Sequence, residues 1–221
     1  KEEIMRTKFD NQLKELNDAL VFLGSECEDC LTYAMQALVT GQKEMIERAM
    51  ECERNTDVKK REIQAMCMRL LQQQQPVAGD LRVISAALRM IIDMERIGDQ
   101  GSDIAEISNH IDFTKNEYNK LITQMADITI KMLNTAVSSF VRRDAELAAT
   151  VEKMDDEVDE LFLKEKNILV DMMGSGEKTD RKTAEQTLEV LMIAKYFERI
   201  GDHTVNIAHS VKTMLNDGKT A

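Results

Sequence analysis

The sequence contains few of the residues that interrupt helices. Among its 221 residues there are one proline, nine glycines and no tryptophan. Because glycine and proline punctuate helices, their scarcity favours long, uninterrupted helical segments. No apolar run approaches the roughly 20 residues that a membrane-spanning helix needs, and no signal-peptide pattern opens the chain. We therefore expect a mostly helical, soluble protein without a membrane span.

Positive charge is also in short supply. Lysine and arginine number 29 against 40 aspartates and glutamates, which gives a formal net charge of −11. Nucleic-acid phosphates demand a basic surface, so this balance argues against a nucleic-acid partner. A cationic partner or metal ions fit such a surface better.

The four cysteines do not form a zinc-finger pattern. Cys27 and Cys30 make a C-x-x-C, but no second pair stands at the spacing of a zinc site. Both fall on an apolar helical stripe. We interpret them as small, reduced hydrophobic residues of a cytosolic protein.

One pattern occurs twice. The sequence ERIGDQGSDIAE at 95–106 is matched 103 positions later by ERIGDHTVNIAH at 198–209. Long amphipathic segments open both halves of the chain, with apolar residues recurring at steps of three and four. This internal repeat predicts an all-α protein built from two similar three-helix bundles in tandem, the first over 1–112 and the second over 113–221.

Stop signals divide each half into three helices. Gly41, Pro76 and the segment GSGEKTD at 174–180 are plausible breaks. After a first helix that carries the stripe from Phe9 to Leu38, we expect helices at about 43–74, 77–110, 117–142, 145–173 and 183–215.

The third helix carries a row of acids whose spacing disfavours the helix itself. Glu95, Asp99 and Asp103 follow one another at four-residue steps, and like charges at that spacing oppose helix formation by about 0.2–0.5 kcal/mol per pair. They lie opposite an apolar line from Val83 to Ile111. The outer line is itself apolar earlier, from Leu81 to Ile92, so we expect this helix to be sandwiched between neighbours and its acids to be partly sheltered.

The second half offers a matching set. Glu198 and Asp202 repeat the row, and the preceding helix carries Asp155 and Asp159. Carboxylates on two antiparallel helices can surround hard or borderline cations such as Mg, Mn or Fe. An isolated E-x-x-x-D is more often a solvated face, but duplication within an identical ERIGD favours metal binding.

Other residues near the acids leave alternatives open. His203 should point away from the row, while His209 could extend it. Arg96 and Arg199 could pair with acids on a neighbouring helix. Gly98 and Gly201 each cost about 1 kcal/mol relative to alanine in a helix, which indicates a close helix approach there.

Four stretches of the sequence, in this order, resemble the PhoU family of bacterial phosphate-signalling regulators: RTKFDNQLKELNDALVFLG, QQPVAGDLRVISAALRMIIDMERIGDQGSDIAE, MDDEVDEL and YFERIGDHTVNIAH. The likeness covers nearly the whole chain. It implies two three-helix bundles that bind multinuclear clusters of Fe, Zn, Mn or Mg through E(D)-x-x-x-D motifs. It also implies a homodimer that represses the phosphate-starvation response and modulates phosphate uptake.

The resemblance implies particular partners and ligands. The partners are the ATPase subunit of the phosphate-specific ABC transporter and a sensor histidine kinase, which would place the protein in the cytoplasm, reaching the membrane only through them. Carried over by position, the metal ligands are Glu95, Asp99 and Asp103 in the first half and Asp155, Asp159, Glu198 and Asp202 in the second, with Asn206 standing where Asp103 stands.

The middle helix of the first half departs from the family pattern. Aligning Val58 with Val158 puts Asn55 and Lys59 opposite Asp155 and Asp159. A lysine ammonium cannot ligate a metal and repels one. Glu53 and Asp57 offer another pair on a different side of that helix, so we expect the first site to be weak, differently built or empty.

The sequence predicts a regulatory adaptor rather than an enzyme. It contains no Ser/His/Asp or Cys/His set, no glycine-rich nucleotide loop and no basic pocket. The alternatives are a carboxylate-metal enzyme, such as an oxidase or phosphohydrolase, and an inert bundle whose acids bind nothing. An oxidase of the ferritin kind would need an E-x-x-H motif, which the acidic helices lack.

Overall fold

Six long helices make up the part of the chain that the structure describes. The computed structural model describes residues 2–73, 77–111, 113, 119–174 and 180–216. Over these residues there is no strand, and the helices are α1 Glu2–Thr40, α2 Lys43–Gln73, α3 Ala78–Ile107, α4 Asn119–Arg142, α5 Ala145–Gly174 and α6 Arg181–Leu215. The all-α prediction is confirmed, and the observed ends fall within about three residues of the predicted ones.

Local chemistry explains several helix ends. Gly41 adopts a left-handed φ of 65° between α1 and α2, a conformation that costs glycine little. Asp180 caps α6, because its carboxylate accepts a hydrogen bond from the Thr183 amide at 2.7 Å. The predicted breaks at Pro76 and at 175–179, and the boundary proposed at residue 112, lie outside the described residues.

Each half packs three helices around an apolar core. α1, α2 and α3 pack on one another, as do α4, α5 and α6. In α1 the predicted stripe is buried, including Leu16, Leu20 and Leu23. The two cores are continuous and form one cluster of buried side chains. The tandem-bundle prediction is therefore confirmed.

The cysteines are part of this core. All four lie within the described residues and are buried free thiols. Burial raises the pKa of the Cys27 thiol to about 12, and its sulfur donates to the Met94 carbonyl at 3.2 Å. A thiol held in its neutral form is a poor nucleophile and metal ligand. The predicted role of Cys27 and Cys30 as small apolar core residues is confirmed.

The two bundles meet mainly through α3 and α6, with a smaller contact between α1 and α4. On α3 the line of Val83, Met90 and Ile97 is buried, as predicted. The opposite line is not sandwiched, because Leu81 and Ile92 remain 43% and 52% exposed. The expectation for this outer line was wrong, since α1, α2 and α6 approach α3 from other sides. None of the helices described here is long and apolar enough to cross a membrane.

Candidate functional site

The acidic site of the second half is built where α5 crosses α6. A Cβ atom added at Gly201 would lie 2.5 Å from Oδ1 of Asp155, which is closer than a real side chain could approach. The missing side chain therefore lets the Asp155 carboxylate lie directly against the α6 backbone. The predicted close approach at Gly201 is confirmed, and the group that approaches is the Asp155 carboxylate.

Negative charge accumulates around this carboxylate. Burial raises the pKa of Asp155 to about 6, and repulsion from Asp159 and Asp202 adds to the effect. The pKa of Asp159 is also raised, by burial first and then by Glu198 and Asp202. These pKa shifts indicate that four of the predicted ligands, Asp155, Asp159, Glu198 and Asp202, lie close enough to repel one another.

One of the four acids has a basic partner. Lys195 places its ammonium 2.5 Å from the Glu198 carboxylate, and it also lies over the Phe162 ring. Asp155, Asp159 and Asp202 form no ion pair with any described residue. This part of the site therefore carries negative charge that no ion pair among the described residues neutralises, although Lys195 partly opposes the rise in the pKa of Asp159.

The first half places different residues at the same crossing. A Cβ atom added at Gly98 would lie 3.2 Å from the Thr56 methyl group, so Thr56 takes the place that Asp155 occupies against Gly201. Burial supports matching residues that are 99 positions apart, because Ala49 and Ala148 are both buried. Val58 and Val158, which are 100 positions apart, do not match, because Val58 is exposed and Val158 is buried.

The sequence-based alignment of the middle helices was therefore wrong by one residue. Asn55 is exposed, and Lys59 points toward α1, where its ammonium lies over the Phe22 ring. Along a helix, one residue is a rotation of about 100°, so this error exchanges one face for another. The counterpart of Asp159 is Lys60.

Lys60 is directed into the first-half site. Its ammonium lies 2.5 Å from the Glu95 carboxylate, and the two side chains are only 22% and 17% exposed. The next acid of the row, Asp99, accepts a hydrogen bond from Arg96 at 3.0 Å. Both leading acids of the first row are thus neutralised by basic side chains of the chain itself. Arg96 pairs within α3 and not with another helix, the alternative that the sequence left open.

The last member of each row faces the other half. The Asn206 amide donates to Asp93 of α3 at 3.2 Å, and Nδ1 of His203 lies 2.9 Å from the same carboxylate oxygen. In the related position, Asp103 hydrogen-bonds to Tyr196 of α6. Asn206 and Asp103 thus help to join the halves, and His203 points away from the row of Glu198 and Asp202, as predicted.

His209 does not extend the second row. Its Nε2 lies 2.8 Å from Glu152 of α5, and Lys212 donates to the same carboxylate oxygen at 2.7 Å. These bonds lower the pKa of Glu152. No sequence pattern connected these three residues. They form a bridge between α5 and α6 beside the acidic site.

A metal ion fits the donors of the second half chemically. The site offers carboxylate oxygens without a basic partner, the ligands that Mg²⁺, Mn²⁺ and iron accept. The raised pKa of Asp155 reports repulsion that a bound cation would relieve. Within the described residues, no three His, Cys, Asp or Glu side chains stand close enough to hold one ion as they are placed. Binding would therefore require these flexible side chains to adjust.

The fold and these sites define a class of protein, a duplicated three-helix bundle with a carboxylate row on the third helix of each half. The family model described as "PhoU domain" matches the chain twice, over residues 20–108 and 122–211. The chain belongs to the PhoU family.

This chain is similar to known relatives both in sequence and in structure. The PhoU homolog of Clostridium acetobutylicum, a phosphate-specific transport system accessory protein, is 32% identical over 207 residues, which cover 93% of both chains. The crystal structure of PhoU from Pseudomonas aeruginosa is 28% identical and matches with a TM-score of 0.86, covering 94% of this chain and 98% of that one. The regulatory protein PhoU from Streptococcus pneumoniae shares the fold, with 23% identity and a TM-score of 0.84 over 93% and 96% of the two chains.

Proposed function

We propose that this protein is an accessory regulator of a phosphate-specific transport system, acting as a negative regulator of the phosphate-starvation response. The support is its likeness along nearly the whole chain to proteins that bear the name of phosphate-specific transport system accessory protein. Repression requires that the protein favour one state of its partners, because a binder that is indifferent to state shifts no equilibrium.

The proposed partners are the transporter ATPase subunit and a sensor histidine kinase. In this proposal the protein acts on the cytoplasmic side and reaches the membrane only through these partners. It works as a homodimer and an adaptor, and it catalyses no reaction. The described residues supply no nucleophile with an aligned base, and the four thiols are buried.

We also propose that the second half binds a divalent cation through Asp155, Asp159, Glu198 and Asp202. The observation that carries this proposal is the cluster of acids around the partly buried Asp155, of which three lack a basic partner. A bound ion would neutralise the carboxylates and tie α5 to α6. The charge left on Asp155, beside Gly201, makes it the first residue to test.

A complementation experiment tests the regulatory role. In a bacterium lacking its own PhoU protein, we expect phosphate-starvation genes to be expressed even when phosphate is plentiful, and this chain to silence them. An affinity-tagged copy should recover the transporter ATPase or the sensor kinase from the same cells. Failure to silence the genes, with the protein present at normal levels, would count against the proposed function.

A matched pair of variants tests the metal proposal in that assay and in vitro. Asp155→Asn removes one carboxylate from the site, whereas Asp156→Asn makes the same change on an exposed neighbouring position. We expect only the first to weaken Mn²⁺ binding to the purified protein. If both variants and the unaltered chain bind Mn²⁺ equally well, Asp155 is not a ligand.

A further inference from the structure

We infer that the first half binds no metal ion and that the ammonium group of Lys60 takes the ion's place. This inference rests on the proposed metal site of the second half, to which the first half corresponds residue by residue. The family resemblance implies a metal cluster in each half. The residues of the first half do not fit such a cluster.

Charge is the first reason for the misfit. The two positions of α2 that face α3 hold Thr56 and Lys60, where α5 holds Asp155 and Asp159. The first half thus loses two anionic ligands and gains one fixed cation. The Lys60 ammonium lies 2.5 Å from Glu95, close enough for a direct charge-assisted hydrogen bond.

The second acid of the row is also occupied. Asp99 accepts a hydrogen bond from Arg96 at 3.0 Å. Its counterpart Asp202 has no basic partner among the described residues. A divalent ion entering the first half would therefore have to displace one ammonium and one guanidinium while approaching both positive charges.

Shape is the second reason. Gly98 leaves the same gap in α3 that Gly201 leaves in α6, but a different group fills it. Thr56 is buried and directs its methyl group at Gly98, while its hydroxyl donates to the Cys52 carbonyl at 2.9 Å. The gap that admits a carboxylate in the second half is closed by an apolar methyl group in the first.

One competing arrangement exists in the first half. Glu53 lies within electrostatic reach of Asp99 and Asp103, and its pKa is raised, first by burial and then by Asp99. A metal held by Glu53, one turn of α2 away from Thr56, would give the first half a differently built site. The Arg96 pair with Asp99 opposes this arrangement, and the experiment must separate it from the Lys60 arrangement.

A gain-of-binding experiment tests the inference directly. The full chain carrying Asp155→Asn/Asp159→Asn serves as the background, and bound Mn²⁺ is measured by electron paramagnetic resonance and calorimetry. Into it we introduce Thr56→Asp/Lys60→Asp, which recreates the second-half ligands. Asn55→Asp/Lys59→Asp changes the charge by the same amount on the adjacent face of α2 and is the matched control.

The expected results concern affinity. The background should bind Mn²⁺ at least about tenfold more weakly than the unaltered chain. Thr56→Asp/Lys60→Asp should restore binding, and the Asn55/Lys59 control should not. In the unaltered chain, Glu53→Gln/Asp99→Asn should leave the number of bound ions unchanged.

Contrary results separate the two proposals. The inference is overturned if the background still binds Mn²⁺ as the unaltered chain does, if Glu53→Gln/Asp99→Asn lowers the number of bound ions, or if Thr56→Asp/Lys60→Asp folds without gaining binding. If the unaltered chain binds no Mn²⁺ but Thr56→Asp/Lys60→Asp does, only the metal proposal for the second half fails.

A single substitution decides the matter if the double variant does not fold. In the same background, Lys60→Gln removes the ammonium and should raise Mn²⁺ affinity by about tenfold or more, because a like charge leaves the site. Lys60→Arg keeps the charge and should not raise it. Equal affinity for both variants would show that the ammonium does not exclude the ion.

Discussion

Thr56 and Lys60 in the first half stand where Asp155 and Asp159 stand in the second, on the same face of equivalent helices. The backbone arrangement is shared, down to the glycine at the crossing of the two helices. Two side chains nevertheless turn a site in which Asp155, Asp159 and Asp202 have no ion pair with a described residue into one whose two leading acids are paired with basic side chains. A duplicated fold can thus keep its geometry while its two halves acquire different patterns of charge.

The same comparison applies to stability. In the second half, the acids between α5 and α6 repel one another, and a bound cation would relieve that repulsion. In the first half, the ion pair between Lys60 and Glu95 joins α2 to α3 without a ligand. Under the proposed metal binding, the second half is the part of the molecule whose packing would respond to ion concentration.

The largest expected effect tests whether the two halves unfold independently of each other. Phe197 of α6 is fully buried in the shared core, and Phe197→Ala should lower the free energy of unfolding by about 3–5 kcal/mol. Because the core is continuous, hydrogen exchange should accelerate in α1 as well as in α4. Two separate transitions in urea would show that the halves unfold independently. Leu163→Ala, at an exposed site, should change stability little.

The next effect concerns a buried acid that the first half lacks. Glu165 is fully buried, neither of its oxygens has a hydrogen-bond partner, and its first-half counterpart, 99 positions earlier, is the uncharged Met66. Burial raises the pKa of Glu165 from 4.5 to about 7. A raised pKa means that the folded state holds the proton more tightly, so stability should fall as pH rises from about 4 to about 8.

Glu165→Gln should remove this pH dependence. The shift corresponds to a loss of up to about 3 kcal/mol in the free energy of unfolding of the unaltered chain across that range. Urea unfolding at pH 5 and pH 8 measures the difference, with the exposed Glu157→Gln as the control. The assignment of the pH dependence to Glu165 fails if both variants keep the dependence of the unaltered chain.

A smaller effect compares the two lysines that neutralise acids. Lys60 and Glu95 are mostly sheltered, and Lys60→Met should cost about 1–2 kcal/mol because it leaves Glu95 without its charged partner. Lys195 is 45% exposed, so Lys195→Met should cost only about 0–1 kcal/mol. Thermal unfolding at low and high salt measures both. Equal losses would contradict the proposed difference between the halves.

The smallest effects on stability come from the paired glycines. Gly98→Ala meets the Thr56 methyl at 3.2 Å and Gly201→Ala meets Asp155 at 2.5 Å. Alanine's helix preference offsets the crowding, so both variants should stay within about 1 kcal/mol of the unaltered chain. Only Gly201→Ala should weaken Mn²⁺ binding, by about tenfold, because it displaces a ligand. An equal loss in both variants would mean that Gly201 has no special role in placing Asp155.

The repeat and the helices could be predicted because they depend on local patterns. The repeat is visible as two ERIGD motifs 103 positions apart. The apolar stripes of α1 and α3 follow from the period of a single helix. The register between the middle helices could not be read from a single Val58/Val158 match. The buried pairs Ala49/Ala148 and Leu70/Leu169, both 99 positions apart, contained the correct signal.

Contacts between helices set the remaining limits. Nothing in the sequence tied Asn206 and His203 to Asp93, or Glu152 to His209 and Lys212, because these residues belong to different helices. The outer line of α3 was expected to be covered because it is apolar. Leu81 and Ile92 are exposed because burial depends on which neighbours actually approach that face.

By itself, the sequence determined the helices, the duplication and the family, since each follows from patterns of residue type that can be recognised without knowing which helices touch. Only the tertiary structure decided which side chain of α2 meets α3, and so placed Lys60 beside Glu95. The physical reason is the pitch of the helix, because a shift of one residue turns a side chain by about 100° and gives it a different neighbour.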